Sequence, residues 1–452
     1  MNYRQCLEYV EALQQYGIVP GLDNIRELCR RLGNPQDSLR FVHIAGTNGK
    51  GSVLAYVSTV LQCAGYRVGR YLSPVIVEYR EKIQVNGKWI TQKAVCEGVE
   101  RIRQVCEEMV AEGKAHPTPF EVETALAFWY FREQNCDIVV LETGMGGLQD
   151  ATNLITTTEV AVLASIGMDH MQFLGKTLTE IAGNKAGIIK KDCIVVSMLQ
   201  KGEAMQVVEK AALALGCSLQ IADKKAAEHI HYGVTGQQFD YGGFKKLKIT
   251  LAGSYQIDNA VLAVETVLAL GKKGFEISEQ ALRQGLEKTE WYGRFSVLGK
   301  SPLFLADGAH NEDAAVKLAE SIEFYFTNKR IIYIMGILKD KEYEKMIALT
   351  HSYADQIITV TPPDNPRALH AYELAQEIAK VHPSVTAVDS LEEAVEMSYL
   401  LADKEDVILA FGSLSYLGKL KGIVEKRSEK GNRYGKSGKG KGGSQTASRG
   451  NR

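Results

Sequence analysis

The sequence predicts an α/β protein of two domains, each built on a parallel sheet, and three observations carry that expectation. A short apolar run, Phe41 to Ala45, leads into the glycine-rich stretch GTNGKGS and then into an amphipathic pattern from Val53. Further apolar runs (DIVVLETG, EVAVLASIGMDH, CIVVSM) alternate with helical patterns, as in parallel sheets covered by helices. After WYGRF at 291–295 a second alternation begins, through PLFLADGAHN, RIIYIMGI, QIITVTPP and DVILAFGSLSYLG. We therefore expect domains at 1–296 and 297–425.

The stretch His43 to Val53 organises the rest. A strand, a glycine turn and a helix opening make a phosphate cradle. Glycines let the backbone approach, unpaired amides point at the anion, and a lysine adds positive charge. The strict G-x-x-x-x-G-K-[ST] spacing is not met. Only Thr47 and Asn48 separate Gly46 from Gly49, and Gly51 is inserted between Lys50 and Ser52. A plain glycine turn is the competing reading. With Lys50 and Ser52 both in place, ATP or GTP phosphates are favoured.

In chain order, residues 3–16 and the run through Ile25, Leu28, Cys29 and Leu32 are amphipathic helices, the second stopped by GNP. GYRVGRYLSP is a strand ending at Ser73, and EYREKIQVNGKWIT an exposed loop with a hairpin turning at Asn86-Gly87. Helices follow over 91–112 and in PFEVETALAFWYF. Residues 217–256 are β-rich, and SYQIDNAVLAVETVLAL is a helix. From Lys426 to Arg452 there are nine Lys or Arg against one acid, Glu429, and scarcely an apolar residue. Such a segment buries too little surface to offset its ordering entropy, so a disordered basic tail is expected over 426–452. The remaining 44 basic and 53 acidic residues give a net of −9.

The composition is that of a globular protein, 45% hydrophobic and 24% charged. No run reaches the roughly 18 apolar residues that span a bilayer, and the N-terminus lacks a signal core. The eight cysteines form no C-x-x-C pair and fall inside helix- or strand-like runs, as reduced thiols do. A cytoplasmic protein with no membrane or specific nucleic-acid partner is expected.

In open parallel sheets ligands gather at the carboxyl ends of the strands. Ser73, Glu142 and His170 fall at such ends, with Lys185 on a helix near the same rim. Glu142 is the best magnesium candidate, against a solvated strand-end acid; Ser52 and Ser73 offer hydroxyl oxygens. Lys185 would ordinarily be a surface charge. In the second domain Asp307, His310 and Asn311 cluster in ADGAHN, and Arg294 lies on the connection. Two function classes survive: an ATP-dependent ligase or kinase, and a nucleotide-controlled switch or binding module. Polar strand ends in both domains favour the enzyme.

These motifs together resemble the folylpolyglutamate synthase/dihydrofolate synthase family of the Mur ligase superfamily, from about Tyr3 to Ile423. GTNGKGS, MDH, KAGI, YQIDNA and DGAHN are superfamily pieces. GIVPGLDNIRELCRRLGNPQ, TPFEVETALAFWYF, GGLQDATN, GILKDKEYEKM and FGSLSYLG are similar to the folate branch. The resemblance implies a P-loop-containing ATP-binding domain with a smaller Rossmann-like C-terminal domain, Mur ligase-like overall. It implies an ATP-dependent amide ligase that joins L-glutamate to a reduced folate or dihydropteroate through an acyl phosphate, acting as a monomer. Another Mur-type amino-acid ligase is the alternative.

Carried over by motif, Asn48, Gly49, Lys50, Gly51 and Ser52 would hold phosphates, and Asn259, Arg294 and Asp307 would contact ATP. Ser52, Ser73, Glu142, His170 and Lys185 would hold Mg2+, two ions in all, with Lys185 as a carbamate. Lys50, Lys185 and His170 would be catalytic. Thr118, Pro119, Phe120 and Glu121, with Gln149, Asp150 and Ala151, would line the pterin side. Three positions depart from the family's pattern: Val75, Leu148 and Asn184, where histidine, arginine and glutamate are usual. All three are expected on loops, and they point to a reduced folate in preference to dihydropteroate.

Overall fold

The computed structural model describes residues 1–437. The chain forms two compact units: Met1–Ser296 with Ala309–Thr327, and Val297–Gly308 with the residues from Asn328 onward. A single cut after 296 does not describe this division, because Ala309–Thr327 makes its contacts with the first unit. No described helix is long and apolar enough to cross a membrane.

The first unit is built on β1 (Phe41–Ala45), β2 (Val68–Tyr71), β3 (Ile83–Val85), β4 (Lys88–Trp89), β5 (Ile138–Glu142), β6 (Thr158–Leu163), β7 (Ile194–Met198) and β8 (Ser218–Ala222). Their order is β4-β3-β2-β5-β1-β6-β7-β8. Pairing is parallel from β2 to β8 and antiparallel only at the β2–β3–β4 edge, where Asn86 and Gly87 turn the hairpin at positive φ. Strand β1 lies at the centre, between β5 and β6, so its C-terminal loop is flanked by theirs. A separate three-stranded antiparallel sheet comprises β9 (Glu228–His231), β10 (Gln237–Tyr241) and β11 (Phe244–Ile249).

The helices of this unit are α1 (Tyr3–Ala12), α2 (Asp23–Arg31), α3 (Lys50–Cys63), α4 (Gln92–Ala111), α5 (Pro119–Glu133), α6 (Met171–Leu174), α7 (Leu178–Ala186), α8 (Gly202–Ala214), α9 (Gln256–Lys272), α10 (Glu279–Lys288) and α11 (Glu312–Tyr325). On one face of the sheet, Val42, Ile44 and Val140 pack with α3 and α9; on the other, Phe41, Val139 and Leu141 pack with α4 and α5. Alternate residues of one strand thus serve two cores, which is why these strands read as continuous apolar runs. All eight cysteines are free, five of them buried.

The second unit's sheet joins β12 (Ser296–Lys300), β13 (Leu303–Ala306), β14 (Ile331–Met335), β15 (Gln356–Thr359), β16 (Val385–Ala387) and β17 (Val407–Phe411) in the order β12-β13-β17-β14-β15-β16, parallel from β13 to β16. Its helices are α12 (Tyr343–Thr350), α13 (Ala371–Ala379), α14 (Leu391–Leu401) and α15 (Leu417–Ser437). The expected disorder from Lys426 is corrected here. Helix α15 continues through Ser437, and Arg427 bonds Glu396 at 2.7 Å and lies 4.4 Å from the Tyr399 ring centroid. Side-chain anchoring onto α14 supplies what the apolar count lacked. The remainder of the basic tail, 438–452, lies outside the described residues.

Candidate active site

Helix α3 opens without a side-chain cap. Gly49 is its N-cap at φ +90°, and a Cβ there would stand 2.5 Å from Asn259 Oδ1. Only glycine suits both the left-handed backbone and that approach. The first-turn amides of Lys50, Gly51 and Ser52 have no preceding helical carbonyl to bond, the open arrangement that receives an anion. Gly46 approaches the end of β6 as closely, since a Cβ there would lie 2.8 Å from that of Ala164. Thr47 and Asn48 donate their amides to the Ser165 carbonyl (2.7 and 3.3 Å), and the Thr47 hydroxyl bonds both carbonyl and amide of Gly167. The Asn48 side chain pairs with Asn311 at 3.2 Å. Asn48 therefore spends its polar groups on holding the loop in place, and the open donors begin after it.

Lys50 folds back, donating to the carbonyls of Gly46 (3.1 Å) and Thr47 (3.4 Å). Ser52 is fully buried and receives a bond from Gln256 (3.2 Å), which in turn accepts from Asn259 (3.1 Å). Glu142, at the end of β5, is only 5% exposed, which rules out a solvated strand-end acid. Burial pushes its carboxyl up to about 7, against the pull of Lys50, Arg294 and the Ser73 amide. Lys185 is not a surface charge either. It is 3% exposed and donates to the Gly46 carbonyl at 2.9 Å. Burial, then the Lys50 charge, holds its ammonium down at about 7, while Asp169 and Asp150 pull the other way.

His170 stands at φ +51° with its side chain 43% exposed, and its amide donates to Asp169 Oδ1 at 2.8 Å. Asp169 also accepts from Asn311 Nδ2 (3.2 Å), and His310 Nε2 is 4.0 Å away. Among the described residues no group of three or more His, Cys, Asp or Glu could hold a metal ion. The donor set still fits magnesium, which is commonly held by one or two carboxylates with hydroxyls, waters and substrate phosphates. A buried carboxylate held near neutrality by desolvation is the group such a cation would ionise. Asp307 is buried in the second unit, its amide bonded to the Ala410 carbonyl at 2.8 Å.

Three of the residues expected along the pterin side already bond within the chain. Thr118 caps α5, and Glu121 returns its carboxylate to the Thr118 amide (2.7 Å) and hydroxyl (2.9 Å), a complete capping box. Pro119 occupies the first turn. Phe120 lies against Gly144, where a Cβ would meet its ring at 2.5 Å. Asp150 is buried and accepts from the Met145 amide (2.8 Å), the Thr152 amide (3.0 Å) and the Thr152 hydroxyl (2.5 Å). Gln149 is exposed and Ala151 buried on the same loop. Thr118, Glu121 and Asp150 thus hold the start of α5 and the 144–152 loop in place. Of the departing positions, Leu148 is 52% exposed and its amide bonds the Asn184 carbonyl at 2.8 Å. Asn184 lies within α7, not on a loop, because the helix opened by the Thr177–Glu180 capping box runs on to Ala186, where Gly187 caps it.

Sequence reasoning missed Gln256, Gln200 and Trp291. Gln256 sits one turn before Asn259 in YQIDNA, an i,i+3 signal that was available. Gln200 reaches the carbonyl of Ala164 (2.9 Å) and the amide of Ile166 (3.0 Å), clamping the segment on which the loop rests. Nothing local marks it.

Two family models match the chain: the Mur ligase middle domain over residues 44–267 and the Mur ligase glutamate ligase domain over 293–414. The dihydrofolate synthase/folylpolyglutamate synthase of Bacillus subtilis is 35% identical over 428 residues, covering 93% of this chain and 98% of that protein. The folylpolyglutamate synthase of Lacticaseibacillus casei is 34% identical, covering 82% and 87%. A folylpolyglutamate synthase of Mycobacterium tuberculosis, solved with ADP and AMPPCP, superposes at a TM-score of 0.85 with 30% identity, over 94% of this chain and 99% of that one. With a relative of that identity matched over nearly its whole length, the chain belongs to the folylpolyglutamate synthase/dihydrofolate synthase family of Mur ligases.

Proposed function

We propose that this protein is an ATP-dependent carboxylate–amine ligase that joins L-glutamate to the terminal carboxylate of a folate, forming ADP and phosphate. The observation that carries the reading is the uncapped start of α3, with Lys50, Glu142 and Lys185 converging at the ends of β1 and β5. A carboxylate oxygen attacks the γ-phosphorus and ADP leaves, giving an acyl phosphate. The glutamate amine then attacks the acyl carbon, phosphate leaves, and the amine's proton goes to solvent or phosphate. Lys50 and the amides of Gly49, Gly51 and Ser52 balance the charge that develops on the phosphoryl oxygens.

Magnesium held by Ser52, Ser73, Glu142 and His170 would supply further neutralisation of phosphate charge. Carbon dioxide adds only to a neutral amine, and Lys185 is poised to supply one. Its nitrogen bonds to the carbon with loss of a proton, turning a cation into an anionic ligand. Asn259, Arg294 and Asp307 are assigned to ATP. Pro119, Phe120, Gln149 and Ala151 are assigned to the folate side, shaped by Thr118, Glu121 and Asp150. The folate and most of the nucleotide contacts are assigned to the first unit, with Asp307 reaching ATP from the second, in a cytoplasmic monomer. An apolar Leu148 on the loop, with Val75, supports glutamate addition to a reduced folate over use of dihydropteroate.

Product analysis tests this. ATP and L-glutamate are incubated with tetrahydrofolate, its one-carbon derivatives or dihydropteroate. One new glutamyl amide per phosphate released is expected, with the reduced folates turned over faster. ATP binding without amide formation would make the protein a binding module, and equal efficiency on dihydropteroate would remove the substrate preference.

A further inference from the structure

Arg70, on β2, is a buried arginine with no carboxylate partner among the described residues. Its Nε donates to the Ser58 hydroxyl (2.9 Å) and Nη2 to that of Thr59 (3.4 Å), both on α3. Those hydroxyls donate onward to helix carbonyls, Ser58 to Leu54 (2.5 Å) and Thr59 to Ala55 (2.7 Å), so their lone pairs are left for the guanidinium. Burial lowers the guanidinium to about 10, still cationic at neutral pH. A desolvated charge without an ion pair is a burden on the fold, because no opposite charge replaces the water it has lost. Folding alone does not account for an arginine here.

The guanidinium carbon lies 5.9 Å from the ring centroid of Trp291, within cation–π reach. The indole in turn covers the first turn of α3. A Cβ at Gly51 would stand 2.9 Å from Trp291 Cζ2 and 3.0 Å from Nε1. The glycine inserted between Lys50 and Ser52, which breaks the usual phosphate-loop spacing, is thus the seat of an aromatic ring. Beyond the ring, the Trp291 carbonyl and the Arg294 amide share the Ser296 hydroxyl, each at 3.3 Å. That bond closes the turn bearing Arg294, whose charge is felt at Glu142.

We propose that Arg70 and Trp291 are positioning residues for the nucleotide, a strut from β2 through the phosphate-loop helix to the turn that carries Arg294. The inference rests on the assignment of ATP to that loop.

Arg70→Met, Arg70→Lys and Trp291→Leu in the full chain test it, with KM measured for ATP, L-glutamate and folate. Arg70→Met should melt within a few degrees of wild type and raise KM for ATP about tenfold, leaving KM for glutamate unchanged. Arg70→Lys should recover most of that loss, and Trp291→Leu should reproduce it. Unchanged KM for ATP in Arg70→Met and Trp291→Leu would overturn the strut. So would a uniform loss on all three substrates that tracks melting temperature. Should Arg70→Met not fold, Trp291→Leu decides alone, since that ring is half-exposed. Lys50→Ala separates the two readings. Normal turnover in it removes the ATP assignment, whereas an inactive Lys50→Ala beside a normal Trp291→Leu removes only the strut.

Discussion

Helices α3 and α5 both begin beside the strand ends of the first unit, and their N-termini are finished in opposite ways. Helix α5 starts with Thr118, Pro119 and Glu121, whose capping box and ring satisfy or remove most of its loose donors. Helix α3 starts with glycines and has no side-chain cap, so its first amides are left without a side-chain acceptor. Both segments resemble substrate-binding motifs of the family, yet only one is closed by a side-chain cap. A motif tells which residues stand at a site; the count of spent and unspent hydrogen bonds tells what they do there.

The largest effect that would sharpen this contrast is at Lys50. Lys50→Ala should cost about 10²- to 10³-fold in turnover, the usual loss for one preorganised charge aimed at a reacting group. Far-UV spectra and melting should stay near wild type, since among the described residues its hydrogen bonds are to two loop carbonyls.

The next effect is a pH dependence. Lys185 is held at about 7 in the folded chain against 10.5 unfolded. Between those values the unfolded chain binds a proton that the folded chain has released, so stability rises with pH across the window. Lys185→Met cannot titrate. In magnesium- and bicarbonate-free buffer its melting temperature should exceed wild type most at or below pH 7, with the gap closing toward pH 10.5. A gap independent of pH would show that the Lys185 ammonium is not lowered by folding.

The smallest effect is at the closed terminus. Thr118→Ala should lower stability by about 1 kcal/mol, the usual cost of losing a cap. KM for ATP should not move. A loss of ATP affinity like that expected at Lys50 would break the contrast between the two helix starts.

The folding pattern was legible along most of the chain because alternation of apolar runs with helical periodicity is local information. Strand β1, the hairpin at Asn86-Gly87 and the helix carrying Lys185 follow from it. Helix α15 beyond Lys426 was not legible, since a run rich in Lys, Gly and Ser shows no apolar face, while its anchor, Glu396, is 31 residues away. The grouping of Ala309–Thr327 with the first unit was equally hidden, because it depends on contacts such as Asn311 with Asn48, 263 residues apart.

By itself the sequence determined the α/β class, the glycine turn between β1 and α3, and that Glu142 ends a strand while Lys50, Ser52 and Lys185 stand on helices. Spacing and residue type settle those, for they reflect backbone geometry over a few residues. The tertiary structure decided how those groups are charged and employed. Glu142 and Lys185 are brought near neutrality by desolvation, which requires the surrounding chain to exclude water. Thr118, Glu121 and Asp150 are absorbed by backbone amides once their turns form. The glycine at position 51 gains its reason only when Trp291, 240 residues later, folds onto it.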